Sequence, residues 1–299
     1  MWKTGILPVK GSNVTVIEAS CTSVPMGTCR SFRGGRFWNG RWILNGCDNL
    51  EPDVYAHRKI LNGRHVLFMG NSMVRQLFLR LVYHVRGIDE MIEHFFHEDA
   101  AYFYNGTHDH LQVGTHYNAT KSGILNPTFI AEFKWAQGSE FYGKHEKYIT
   151  DLRVVGYGYN DFNDTELTNS MSNTDRKSTL LMTMSSMHRK EQKDVKGNLT
   201  IINRYIEENH PYHIPLAEMA ETKVFLRSSD EVHWGCGVYD YFESQMLRQN
   251  VKMPRNGDCS DRMNLNSVFM VLKYLQSMPC NESYWQKEQP VKWYRLHRT

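Results

Sequence analysis

A chain of 299 residues, 41% apolar and 22% charged, is long enough to bury one substantial core and has the composition of a globular domain rather than a disordered segment. A net charge of +3 is too small for a nucleic-acid surface. The one basic concentration, from His188 to Lys196, is broken by Glu191 and Asp194 and reads as a solvated loop. No apolar run is long enough to span a bilayer, so membrane attachment is expected only through an anchor absent from this chain.

Residues 1–60 read as an irregular extension packed on a main domain of residues 61–299. The first residues, Met1 to Pro8, lack the apolar core of a signal peptide, and the expectation is that a signal or anchor lies outside this chain. Gly34, Gly35 and Gly40 punctuate an aromatic stretch containing Trp38 and Trp42. Packing on the main domain is the first reading of both tryptophans, with stacking on a sugar as the alternative. The six cysteines fall in two groups, Cys21, Cys29 and Cys47, then Cys236, Cys259 and Cys280. None has Cys-x-x-Cys spacing, which argues against a zinc knuckle and suits disulfides that staple the chain's ends, in a pairing the spacing leaves open. Sequons at Asn13, Asn105, Asn118, Asn163, Asn198 and Asn281 agree with the cysteines on a secretory-pathway lumen (Golgi or ER) or extracellular setting.

The run Arg64 to Met69, Gly70-Asn71-Ser72, then Val74, Leu77, Phe78, Leu81 and Val85 at helical spacing, predicts a buried strand, a tight turn and a helix to about His84. Ser72 then sits at the carboxyl end of a strand and the positive end of a helix, either as an ordinary N-cap or as a nucleophile whose oxyanion the nearby N–H groups would hold. Residues 86–125 are polar and carry His94, His97, His108, His110 and His116. They read as a long surface insertion, without the helical spacing of a metal site.

Strands are predicted from Pro127 to a stop near Gly138, within Asp151 to Asp161 up to a glycine, and within Thr179 to Ser186, and a helix from Leu199 to Glu208. A short strand from Lys223 to Leu226 and a helix from Tyr239 to Leu247 follow. Alternating strands and helices predict a parallel sheet whose carboxyl ends gather Ser72, the block Gly158-Tyr159-Asn160-Asp161, and the polar residues Ser185, Ser186 and His188. Downstream, Asp230-Glu231-Val232-His233-Trp234 places a carboxylate three residues before an imidazole. Asp230 can then hold one ring nitrogen while the other takes a proton from a hydroxyl; Glu231 is the competing orienter.

The blocks Gly70-Asn71-Ser72, Gly158-Tyr159-Asn160-Asp161 and Asp230 to His233 occur in the order of the SGNH hydrolase superfamily, which this chain resembles over residues 30–250. The details are closest to the PC-esterase branch, which includes the plant trichome-birefringence-like polysaccharide O-acetyltransferases. Gly70-Asn71-Ser72-Met73-Val74-Arg75 is similar to their Gly-Asp-Ser-x-x-Arg, with Asn71 for the usual Asp. Asp230 to Cys236 is similar to their Asp-x-x-His-Trp-Cys with one inserted glycine, and Gly40-Arg41-Trp42 and Phe133-Lys134-Trp135 also have counterparts.

The resemblance implies an SGNH-like three-layer α/β sandwich, a central parallel sheet with helices on both faces. It implies acyl transfer through a serine ester, with Ser72 as nucleophile, His233 as base and Asp230 as orienter. The oxyanion hole would combine the Ser72 N–H, the Asn160 amide and a glycine, taken as Gly138 with Gly114 as the alternative. Arg75, Tyr159 and Trp234 are candidate substrate contacts, Trp234 for stacking on a sugar or for wedging its loop into the core. Three functions follow: an O-acetyltransferase acting on glycans, a carbohydrate O-acetyl esterase, or a glycan-binding module that kept the fold and lost the chemistry. The partner is a carbohydrate or glycoconjugate substrate. No tightly bound cofactor and no metal are expected; a transferase would take its acyl group from a donor such as acetyl-CoA or an acylated intermediate.

Overall fold

The structure, a computed structural model, describes residues 29–38, 41–51, 53–88, 98–114, 124, 127–136, 150–157, 177–184, 193–221 and 262–279. Their elements, in chain order, are β1 (Gly35–Trp38), β2 (Arg41–Leu44), α1 (Val54–Leu61), β3 (Arg64–Gly70), α2 (Ser72–Arg86), β4 (Ala100–Tyr104), β5 (Asp109–Val113), β6 (Phe129–Trp135), β7 (Leu152–Gly156), β8 (Thr179–Met182), α3 (Lys193–Asn209), β9 (His213–Ile214), α4 (Leu216–Glu221) and α5 (Arg262–Ser277).

β3 is buried at every position, as a strand paired on both edges and covered on both faces must be. It pairs in parallel with β6 on one side and β7 on the other. β8 and β9 continue the parallel ladder beyond β7, giving the order β5-β4-β6-β3-β7-β8-β9. The chain therefore winds first to one side of β3 and then to the other, and the reversal falls between β3 and β7. In doubly wound sheets a ligand crevice opens outside the carboxyl ends at such a point.

Strand alternation sends β3 side chains into two cores. Val66 and Phe68 join the larger one with α2 residues Val74, Leu77, Phe78 and Leu81 and with Val268, Val271 and Leu275 of α5. Leu67 and Met69 join Val155, Leu181 and the α3 residues Ile202 and Ile206. Helices thus cover both faces. Because α2 lies between the sheet and α5, it is buried all round from Met73 to Val85 rather than along one inner stripe. Gly87, with φ 72°, closes its carboxyl end: the Gly87 N–H reaches His84 O and the Ile88 N–H reaches Tyr83 O, a left-handed cap that consumes two orphan carbonyls.

Three expectations change. The sheet is mixed, since β4 runs antiparallel to both β6 and β5. Residues 100–113 are therefore part of the sheet and not a surface insertion, and β4, with its sequence Ala-Ala-Tyr-Phe-Tyr, is buried throughout. The described part of the amino-terminal extension is not irregular: β1 and β2 form a hairpin, and α1 follows. Trp42 enters the main core and its backbone N–H donates to Asn266 Oδ1 at 2.7 Å. The two tryptophans part here, for Trp38 is 69% exposed. Cys29 and Cys47 form a disulfide within the first cysteine group. The strand expected over 223–226 and the helix expected over 239–247 lie outside the described residues.

At the amino ends of the strands, the buried Arg64 guanidinium donates to the carbonyls of Leu275, Met278 and Pro279 and so caps the carboxyl end of α5. It also faces Asp151 at 3.7 Å, whose carboxylate accepts the His65 N–H at 2.7 Å. Six residue steps along β3 put this network roughly 20 Å from the opposite rim, where Ser72 lies.

Candidate functional site at the carboxyl rim

β3 ends at Gly70, whose φ of 153° is one that L side chains rarely adopt, and a Cβ there would come within 2.5 Å of both Gly156 O and Val74 Cγ2. The next residue, Asn71, is the N-cap of α2: its side-chain oxygen accepts the Met73 N–H at 3.0 Å, and its carbonyl accepts the Arg75 N–H at 3.0 Å. Capping is thus the task of Asn71 and not of Ser72. Ser72 is the first residue of the helix and half-buried. It stands at the positive end of a 15-residue helix with no acidic residue in its first turn, a place that favours negative charge developing on a bound group.

Arg75, one turn further and on the same side of α2, is 1% exposed, with its guanidinium 5.9 Å from the centre of the Trp135 ring. Trp135 ends β6 in register with Gly70. Its backbone N–H donates to Asp99 Oδ1 at 2.9 Å, while Lys134 Nζ meets Asp99 Oδ2 at 3.0 Å. The Ala136 N–H then reaches Gly70 O at 3.2 Å. Trp135 therefore ends the strand beside Gly70, with the Arg75 guanidinium against its ring.

On the other side β7 ends at Gly156, the register partner of Gly70. Tyr157 turns into the core with Leu67, Met69 and Ile206. β8 ends beside two clamps. Thr183 Oγ1 donates to Ile214 O at 3.2 Å and accepts the Ala217 N–H at 3.1 Å. Asn203 bonds both the N–H and the C=O of Met184, at 2.9 and 2.7 Å.

Of the residues singled out from the sequence, Ser72 and Arg75 are brought to this rim. Gly138, Tyr159, Asn160, Asp230, Glu231, His233 and Trp234, and with them Ser185, Ser186 and His188, lie outside the described residues. Gly114 is described. It follows β5, three strands from β3 and so roughly 14 Å away, and its N–H is taken by Asp99 O at 2.8 Å. Those two facts count against it as an oxyanion donor beside Ser72. Among the described residues no three His, Cys, Asp or Glu side chains are grouped to hold a metal. His108 sits in the β4–β5 turn and His110 on β5, while His94, His97 and His116 lie outside the described residues.

Trp135 and Gly156 belong to the rim and were not read as site residues. The available signals were an aromatic side chain at the end of an alternating strand and a glycine ending an apolar run. A half-buried alcohol at a helix amino terminus, above the strand reversal, can serve as a nucleophile toward a carbonyl if a base reaches it. Comparison with protein-family models, with curated proteins and with solved structures finds no match to this chain.

Proposed function

We propose that the chain is a serine-dependent acyl-transfer enzyme of the SGNH type, in its PC-esterase branch, acting on O-acyl groups of glycans, with O-acetyl transfer to a polysaccharide or glycoprotein glycan as its reaction. The observation that carries the reading is the place of Ser72, in the first turn of α2 above the reversal between β3 and β7. That is where doubly wound sheets bind ligands and where a helix terminus favours an oxyanion.

In this reading His233 takes the Ser72 proton as Oγ attacks the acyl carbonyl, and Asp230 holds the imidazole in the required tautomer. The tetrahedral oxyanion is met by the Ser72 N–H, the Asn160 amide and the Gly138 N–H. Each such donor contributes about 3–4 kcal/mol to the transition state. Collapse expels the donor's alcohol or thiol, which takes the proton from His233 and leaves the acyl group on Ser72. A sugar hydroxyl, deprotonated by the same imidazole, then accepts the acyl group and restores the serine. The acyl donor is a substrate, of the acetyl-CoA class or an acylated carrier, and Trp234 and Tyr159 are the contacts proposed for the glycan.

Asn71, which stands where the resembled enzymes carry Asp, caps α2 through its side-chain oxygen. The disulfide and the sequons support a lumenal or extracellular setting. Incubation with an O-acetylated glycan, with and without an unacetylated acceptor, tests the proposal. Acetyl appearing on the acceptor and depending on Ser72 is the expected result. Free acetate alone would make the chain an esterase, and no acetyl release by folded protein would refute both.

A further inference from the structure

We propose that Gly156 is a positioning residue for Ser72, an inference that rests on Ser72 being the nucleophile. Gly70 and Gly156 end neighbouring parallel strands in register, and Val74 of α2 comes down on both. A Cβ on Gly156 would lie 2.5 Å from Val74 Cγ2 and 2.6 Å from Met182 Cε. The methionine tip can move aside, but Val74 is branched at Cβ and has few rotamers in a helix. It also sits two residues after Ser72, in the first turn of α2 and in a region buried on all sides. A side chain at Gly156 would therefore be relieved by lifting or tilting the first turn, which carries the Ser72 hydroxyl and N–H with it. Gly156 has no positive φ, so the requirement is one of space and not of backbone conformation, and it can be relieved from the opposite side by shortening Val74.

The close approach of α2 to the sheet is thus permitted by missing side chains on both β3 and β7, and on β7 by space alone. Its consequence is the height of the alcohol above the strand ends. Reaction geometry is sensitive at this scale, since a displacement of about 1 Å can cost on the order of a hundredfold in rate.

The test measures the rate of covalent labelling by a fluorophosphonate probe, together with urea unfolding, for the wild type, Gly156→Ala, Val74→Ala and the double variant. The wild type should label at Ser72; if it does not, the reading of Ser72 as nucleophile fails, and this inference fails with it. Given wild-type labelling, Gly156→Ala should be slowed about tenfold to a hundredfold while still unfolding cooperatively. The double variant should label within about threefold of Val74→Ala, because removing Cγ2 restores the space. Gly156→Ala labelling at the wild-type rate, or a folded double variant as slow as Gly156→Ala, would overturn the inference. If Gly156→Ala alone does not fold, the comparison of the double variant with Val74→Ala decides: equal rates support the positioning role, and a double variant more than tenfold slower contradicts it.

Discussion

His57 Nδ1 and His84 Nε2 lie 2.6 Å apart between α1 and α2, and both rings are buried beside Phe269. A neutral imidazole carries one donor and one acceptor, so a single shared proton completes this contact, and a second sets two N–H groups face to face with a positive charge on one buried ring. Burial pushes His57 down to about 4, with the nearby Arg41 adding a little and Asp53 and the Glu51 backbone opposing. Burial, His57, Arg80 and Arg58, in that order, push His84 down to about 3.

Both values lie below the ordinary one, so the unfolded chain takes up protons first. The stability this pair supplies is complete above about pH 6.5 and is lost as pH falls toward about 4 for His57 and about 3 for His84. Each histidine should cost about 2 kcal/mol between pH 7 and pH 5, read as a falling urea midpoint. A His57→Gln/His84→Gln variant should show a shallower fall. Some slope should remain, because His213 is also pushed down to about 4, chiefly by burial. Equal stability at pH 7 and pH 5, or an unchanged slope in the variant, would contradict this account.

Asn71 holds the first turn of α2 through its bond to the Met73 N–H. Asn71→Ala should lower stability by about 1 kcal/mol and slow labelling of Ser72, because the turn that positions the serine frays. Asn71→Asp keeps the acceptor and adds a negative charge at the helix amino terminus, so it should match or exceed the wild type in stability. Urea unfolding of the two variants checks this, and an Asn71→Ala protein as stable as the wild type would refute the capping role.

Asn105 lies in the β4–β5 turn, where its side-chain oxygen accepts the N–H and hydroxyl of Thr107 and the N–H of His108. Tyr104 pairs with Phe129, which pairs with Arg64, so this sequon lies at the rim opposite Ser72. Expressed through a secretory pathway, the chain should carry a glycan there. Asn105→Gln should remove one glycosidase-sensitive step in mobility and leave Ser72 labelling unchanged. Identical mobility of variant and wild type would argue against the lumenal setting at this site.

Much of the sheet was legible because buried parallel strands are short apolar runs stopped by glycine or polar residues, as Arg64–Gly70, Leu152–Gly156 and Thr179–Met182 are. β4 was hidden by its neighbourhood, for the histidines and polar residues of 86–125 outweigh five buried residues. α5 escaped notice because Asn264, Asn266, Ser267 and Lys273 are buried among its apolar residues and blur the helical period. α3 begins at Lys193, inside the basic stretch read as a loop. At the site, the place of Ser72 behind a strand end and at a helix start followed from the strand–turn–helix pattern, while its reading as a nucleophile drew on the blocks downstream. The burial of Arg75 did not, because a charged residue on a helix is ordinarily exposed. The role of Gly156 needed the register of β3 and β7, which no local pattern encodes.

The most direct test of the account is the intact mass of the folded protein after exposure to a fluorophosphonate, followed by mapping of the modified peptide. One adduct is expected, on Ser72, absent from Ser72→Ala and slowed at least about a hundredfold in His233→Ala. A folded chain that takes no adduct, or takes it on another residue while Ser72 stays unmodified, would contradict it.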